Sequence, residues 1–600
     1  METFIEILND SGLLEILSQP DMLILIAMAL LLQLFAVTQS KKSKSERSVA
    51  HFAENWTKYR LIRTAAKQLK AQNVKHVCLY CGSFKDWQLN PLVIWFYLLF
   101  LGRPPALFVP HANPGIQVVG APGMGKTFSV IDRLLVSAID QSYPILLYDY
   151  KYGNPNDDDD PSERKDGQTP FIGGYAARHG YKIRIFAPGK DYTCIINDLD
   201  FLKNDLDFTM CQTLVRTYES REANATSNKF FDSASQALLV TAILVAKGSK
   251  FPDLAMAAAI IQMPDLGQRL AYAIEQDRLS AWHEQGFSPY LSVALNKNDN
   301  TTAAGILAGA QNIISKFVRP DLVSCFVGKT NVSLDLGSKE LLIFQSDEER
   351  QEILSPMNSA KIELVINRNF RKSRKIPLVF CVDEYPTIKS IQSIDWPARH
   401  RSKGLVMIYG YQSDPQILET YNSNMAGKLN AGIKTRFWFN PQSEETAKKW
   451  SDTMGKREVK IVNESKTINY GGQKSKTIST HYELEELRSP SNILKMKPFS
   501  CIYKNENSQN KKEAFIPIDI DRLHVSQEYI KMQNETAFMW HNNIESCLIK
   551  REKQYRSNQQ IIGERILTDR KEESYRMFPM PEVPISPNFN INTSEFDFME

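Results

Sequence analysis

The strongest constraint in this 600-residue chain is a loop of eight residues. Ile116 to Val119 is a short apolar run leading into Gly120-Ala121-Pro122-Gly123-Met124-Gly125-Lys126-Thr127, and Phe128 to Ala138 follows with helical period. A G-x-x-x-x-G-K-T loop between a strand and a helix is the setting in which backbone N–H groups wrap phosphate oxygens. Its glycines allow the tight turns, and the helix N-terminus adds a favourable dipole. In such a loop Lys126 neutralises the β- and γ-phosphates, and the Thr127 hydroxyl ligates Mg²⁺. A chance match in a chain this long is on the order of 1 in 100. The reading makes ATP and Mg²⁺ the expected ligands, with residues 120–127 as their cradle.

Such a loop needs a second element, a buried strand that ends in an acid. Ile376 to Val382 (IPLVFCV) is followed by Asp383 and Glu384. Asp383 is suited to hold Mg²⁺ through water, and Glu384 to polarise the attacking water. A Glu directly after the Asp favours ATP hydrolysis over a GTP switch. About 250 residues separate the motifs, more than one β-α-β core needs.

The interval contains two kinds of text. Ile145–Tyr150 and Tyr181–Ala187 read as core strands, whereas most of 205–330 has helical period and is rich in Ala, Leu and Ile. The layout is therefore a nucleotide-binding core over 111–204 and 331–525, interrupted by an all-α insertion over 205–330. Leu341–Phe344, Leu405–Tyr411 and Ile433–Phe439 supply further strands of a mostly parallel sheet. Asp157 to Asp160 is a solvated acidic loop.

Composition excludes little beyond this. Apolar residues make up 43%, enough for several cores, and a net charge of +4 neither requires nor forbids nucleic acid. Eight scattered cysteines are no disulfide framework, and Cys78 and Cys81 have no second ligand pair nearby to make a zinc site.

The N-terminal part points to a membrane. After an acidic leader over 1–21, Met22 to Val37 carries no charge, and its flanks bring 22–39 near the length of a transmembrane helix. Lys41, Lys42, Lys44 and Arg47 follow, which places the N-terminus outside and residue 41 onward in the cytoplasm. Within the juxtamembrane stretch 40–110, Pro91 to Leu101 is a second apolar run, too short to cross alone. It reads as buried, interfacial or re-entrant, with a two-span hairpin as the alternative. At the other end, 526–600 is an extension whose apolar spacing fades by Asn543. From Met577 it carries prolines, acids and single phenylalanines, text expected to stay disordered when free.

The motifs together resemble the type IV secretion coupling proteins of the TraG/TraD kind, within the FtsK–HerA group of ring-shaped pumps. The resemblance covers about Gly115 to Lys504 and includes GAPGMGKT at 120–127, Asp149-Tyr150-Lys151 and Phe230-Phe231-Asp232. It continues with IPLVFCVDEYPTI at 376–388, RSKGLVMIYGYQSDPQILETY at 401–421, Asn430, and AKKWSDTMGKREV at 447–459. Two departures stand out: Ala121-Pro122 where Pro-Thr is commoner, and Asn197-Asp198-Leu199 where Asn-Pro-Leu is usual. The stretch 82–110 has no clear counterpart.

The resemblance implies a RecA-like P-loop NTPase with an all-α insertion and an N-terminal transmembrane helix. It implies a homo-hexamer in the inner membrane that draws single- or double-stranded DNA, a relaxase or relaxosome, or an effector protein toward type IV secretion channel subunits. By similarity Gln412 senses the γ-phosphate and Arg401 is an arginine finger acting across the subunit boundary. Arg399 and Lys403 remain alternatives for the finger. Two other functions compete: a DNA pump of the same fold without a secretion partner, and a membrane scaffold that binds ATP. The intact Lys126, Thr127, Asp383 and Glu384 set speaks against the scaffold.

Overall fold

The computed structural model describes residues 50–150, 167–218, 229–296, 300–346, 350–388, 390–468, 474–506, 516–558, 563 and 565–585. The leader, the expected span 22–39 with its basic flank, Lys151, Asp157–Asp160 and the last fifteen residues lie outside these.

The described chain opens with a layer made of α1 (Asn55–Ala71), β1 (Leu79–Cys81), α2 (Pro91–Phe100) and β2 (Leu107–Val109), with β1 antiparallel to β2. Asn90 caps α2, accepting a hydrogen bond from the Leu92 N–H, and Pro91 occupies its first position, where a missing N–H costs nothing. The first half of the core follows as β3 (Ile116–Val119), α3 (Asp132–Asp140), β4 (Ile145–Asp149), α4 (Thr169–Arg178) and β5 (Lys182–Phe186).

Six helices then interrupt it: α5 (Phe208–Tyr218), α6 (Lys229–Gly248), α7 (Leu254–Ile261), α8 (Leu266–Glu275), α9 (Ala281–Ala294) and α10 (Asn300–Ser315). Helix α6 is their hub and packs on α5, α7, α9 and α10, burying Leu238, Ala242 and Ile243. The core resumes with β6 (Glu340–Gln345), α11 (Gln351–Asn369), β7 (Leu378–Val382), α12 (Trp396–His400), β8 (Leu405–Tyr411), α13 (Asp414–Thr420), α14 (Ser423–Gly432), β9 (Thr435–Trp438) and α15 (Glu444–Met454).

Strands β10 (Lys456–Ile468) and β11 (Lys474–Glu486) form a two-stranded ribbon that is a compact unit of its own. Ion pairs Arg457–Glu485 and Glu464–Lys476 join residues of equal parity across the two strands. After α16 (Pro490–Leu494) come β12 (Cys501–Asn505) and β13 (Ile518–Ile520), then α17 (Gln527–Met539), α18 (Glu545–Asn558) and α19 (Arg565–Met577).

The main sheet has nine strands in the order β13-β12-β9-β3-β8-β7-β4-β6-β5. From β9 to β5 every neighbour is parallel, and β12 and β13 add an antiparallel edge. All residues of β3, β4, β7 and β8 are buried, which explains why these strands read as unbroken apolar runs rather than alternations. Strand β3 lies between β8 and β9, and β8 lies between β3 and β7. The carboxyl ends of β3, β8 and β7 are thus neighbours, the usual place for a ligand in such a sheet.

The C-terminal part departs from the sequence reading. Helices α18 and α19 form beyond Asn543, where apolar spacing is weak, because polar contacts hold them. Arg551 donates to the Ile183 carbonyl of edge strand β5 at 3.2 and 3.3 Å. Arg570 Nε donates to Asp253 Oδ1 at 2.8 Å, and the same oxygen caps α7 through Met256 N–H at 3.0 Å. Phe578, expected in an unpacked tail, is buried, and its carbonyl accepts from Arg269 Nη1 at 2.8 Å. Nearer the core, Gly173 and Gly174 lack the side chains that would strike the Trp540 ring and the Thr536 carbonyl, so the C-terminal arm lies close on α4.

Candidate nucleotide site

The loop after β3 is shaped by its glycines. Gly123 and Gly125 sit at φ of +76° and +91°, conformations that side chains resist. A Cβ at Gly125 would come within 2.6 Å of the Phe499 ring. The loop's first N–H groups are anchored, Gly120 to the Tyr411 carbonyl at 3.2 Å and Ala121 to the Asn440 carbonyl at 2.9 Å. The Phe499 N–H closes the far side by donating to the Met124 carbonyl at 3.0 Å. Pro122 and Gly123 are exposed at the tip of the cradle.

The sequence-expected residues meet here. Thr127 Oγ1 donates to Asp383 Oδ2 at 2.8 Å. Lys126 Nζ lies 3.4 Å from the Gly120 carbonyl and 3.9 Å from Glu384 Oε2. Gln412, just past β8, donates through Nε2 to the same carboxylate at 3.3 Å, and its own N–H is fixed by Gln416 Oε1 at 3.0 Å. Lys126, Asp383 and Glu384 are all buried. Gly410 makes this approach possible, since a Cβ there would meet the Asp383 carbonyl at 2.4 Å.

Asp383 Oδ1 is buried with no hydrogen-bond partner among the described residues. A buried carboxylate oxygen without a donor, beside a hydroxyl, is a set of hard oxygen ligands of the kind Mg²⁺ takes. Thr127 and Asp383 therefore fit that ion.

Arg401 is not brought to this cluster. It opens a 3₁₀ turn, Arg401–Lys403, with its side chain exposed, and its carbonyl accepts from Asn113 Nδ2 at 3.4 Å. Arg399 is exposed as well.

Sequence reasoning missed a layer beneath the loop. Asp132, five residues after Thr127, is buried and accepts from Gln168 Nε2 at 2.6 Å. Burial pushes its carboxyl up to about 8; the Gln168 bond opposes this, while the charges of Asp383 and Asp149 add to it. Asp149, at the end of β4, accepts from both the N–H and the hydroxyl of Thr169 at 2.8 and 2.6 Å. Gln345 Nε2 continues the chain to Thr169 Oγ1 at 2.9 Å. For Asp132 the one signal available was an acid placed in the buried stretch of a helix; Asp149 stood among the motifs of the resemblance without a role.

Comparison with known proteins now places the molecule. It is a P-loop protein whose parallel sheet carries a long helical insertion. The family model for the type IV secretion-system coupling protein DNA-binding domain matches residues 225–532, just over half of the chain. The chain belongs to the type IV secretion coupling proteins. Two solved forms of the bacterial conjugative coupling protein TrwBdeltaN70 resemble it, one unbound and monoclinic and one trigonal with sulphate. Each is 16% identical, with a TM-score of 0.50 over 69% of this chain and 86% of that one, a likeness that shows the fold. No curated protein sequence matches the chain.

Proposed function

We propose that this protein is a membrane-anchored ATPase that drives DNA, or DNA joined to protein, toward a type IV secretion channel. The observation that carries the reading is the meeting of Lys126, Thr127, Asp383, Glu384 and Gln412 at the ends of three adjacent strands. Each has a distinct task when ATP binds. The loop 120–127 wraps the phosphates and Lys126 turns from Glu384 toward the γ-phosphate. Thr127 and Asp383 would hold Mg²⁺, which would supply charge neutralisation for the phosphates. Glu384 orients the attacking water and accepts its proton, and Gln412 holds that carboxylate in place while reporting on the γ-phosphate.

The charge that develops as the γ-phosphoryl departs calls for a second cation beside Lys126. Arg401, exposed and remote in contact terms from its own loop, supplies it to a neighbouring subunit of a ring. The family's DNA-binding description supports nucleic acid as the cargo, with relaxosome and channel proteins as partners. Residues 22–39 anchor the chain in the inner membrane, with the N-terminus outside and the ATPase in the cytoplasm.

ATP turnover with and without single-stranded DNA tests the proposal. The parent is expected to be stimulated by DNA, and Arg401→Ala to lose about 10³-fold at saturating protein. Mixing Arg401→Ala with Lys126→Ala subunits is expected to restore part of the rate. A parent rate that DNA leaves unchanged would count against a DNA motor, and no recovery at any mixing ratio would count against a finger acting between subunits.

A further inference from the structure

Helix α2 is apolar on every side and is half covered. Its sequence, PLVIWFYLLF, holds no charge, yet within the described chain only Ile94 and Leu98 are buried. Leu92 is 80% exposed and Phe100 69%; Phe96 and Leu101 are exposed beside them. Leu92, Phe96 and Phe100 recur every four residues, so they form one stripe along the outer face. A helix apolar all round is normally enclosed. Exposed apolar patches of this kind mark a surface with a partner.

The surroundings say which partner. Trp95, on α2, stacks on Tyr59 of α1 with ring centroids 4.9 Å apart, and Trp56 stacks on Tyr59 at 5.5 Å. Arg60 lies over the Trp56 ring at 5.2 Å. Trp56 and Trp87 are both exposed. Amphipathic aromatics beside an apolar stripe are the composition of a membrane interface. Residues 51–110 carry eight Lys and Arg against two acids, Glu54 and Asp86, a balance that complements anionic headgroups. Arg103 follows the helix directly and is exposed.

Chain length supplies the third argument. The uncharged run 22–37 is joined to α1 by seventeen residues, no more than about 60 Å of fully extended chain, so a bilayer holding that run is within reach of α2. At ten residues α2 is about 15 Å long, half of a bilayer core, and cannot cross one. Among the described residues no helix is long and apolar enough to cross a membrane.

We propose that α2 lies flat in the cytoplasmic leaflet, with Leu92, Phe96, Phe100 and Leu101 sunk into the acyl boundary and the bases of α1 and Arg103 on anionic headgroups. The contact orients the ATPase layer against the membrane instead of leaving it on a tether. The inference rests on the proposed anchoring for the side of the membrane but not for the contact itself.

The test uses the full chain in vesicles of phosphatidylethanolamine and phosphatidylglycerol. Cys547 is the exposed cysteine among the eight, so a Cys547→Ser background allows a fluorophore to be placed at Phe100→Cys, with Leu418→Cys on α13 as a remote exposed control. A nitroxide lipid labelled near the headgroup is expected to quench the label at 100 about twofold and to leave the label at 418 unchanged. Stronger quenching by a nitroxide at the acyl-chain end would overturn the flat orientation in favour of a crossing segment. Energy transfer between labelled copies without lipid quenching would assign the stripe to a second copy and end the proposal.

Flotation separates this inference from the anchor. A parent that floats with a label at 100 that no lipid quenches defeats the inference alone. A quenched parent whose Leu92→Ser/Phe96→Ser/Phe100→Ser form no longer floats supports α2 and defeats anchoring through 22–39. A parent that does not float defeats both.

Discussion

Two lysines buried to nearly the same degree define opposite kinds of site. Lys126 sits in the phosphate loop with its closest carbonyl at 3.4 Å and its closest carboxylate at 3.9 Å. Lys361, on α11, donates to Asp198 Oδ2 at 2.6 Å and to the Ile196 carbonyl at 3.1 Å, with the Phe186 ring 5.2 Å below it. A buried cation is costly unless its donors are met. Lys361 meets that cost within the chain, at the joint where the core turns into the insertion. Lys126 does not, and a phosphate is the group that would complete it. Tight geometry marks the joint, and loose geometry marks the place kept for a ligand.

The comparison breaks if the loose site is structural after all. Lys126→Ala is expected to lower ATP turnover about 10³-fold or more while moving stability by no more than about 1 kcal/mol. Glu384→Gln is expected to cost about 10²–10⁴-fold in turnover while retaining nucleotide binding, because the proton acceptor is lost and the cradle is kept. Turnover under saturating Mg²⁺ and ATP, beside a urea unfolding curve for each variant, reads both quantities. A variant of Lys126 that unfolds several kcal/mol early would place this lysine in the same class as Lys361.

The joint predicts the reverse pattern. Lys361→Met leaves Asp198 buried and uncompensated, and is expected to cost about 3–5 kcal/mol. Adding Asp198→Ala to it should recover much of that loss, a coupling that a urea double-mutant cycle measures directly. Single and double variants equally destabilised would mean that the pair contributes packing alone.

Asp198 also shows what the sequence could and could not disclose. It stood out as a departure from the resemblance, an Asp where Pro was expected, with no reason visible nearby. Its reason lies 163 residues away in Lys361. The nucleotide loop was legible because its chemistry is compressed into eight consecutive residues and fixes its own flanks. Strands β3, β4, β7 and β8 were legible because burial on both faces leaves unbroken apolar runs. Strands β12 and β13 were missed, being short and set among loops. Helices α18 and α19 left little trace because Arg551 and Arg570 hold them through carbonyls and a carboxylate, contacts without periodicity. Asp132, Gln168 and Asp149 form a layer beneath the loop that only tertiary structure assembles.

Glu363 lies between the two classes and gives the finest test of the distinction. It is buried on α11, with Thr217 of α5 and Gln392 as its polar neighbours, and its Oε1 has no partner among the described residues. Burial pushes its carboxyl up to about 7 against the partial relief of Gln392 and Thr217. Between pH 4.5 and 7 the folded chain keeps this proton while the unfolded chain releases it. The stabilisation is full below that window and is lost as pH rises through it, by up to about 3 kcal/mol. Glu363→Gln mimics the protonated acid at every pH. Its urea midpoint should match the parent's at pH 4 and exceed it at pH 8. Other buried acids such as Asp132 titrate in both chains and cancel in the difference. If instead the two midpoints keep a constant gap across that range, the carboxyl is ionised throughout and an unseen partner completes it, which would move Glu363 from the closed joint into the class of sites left open for a ligand.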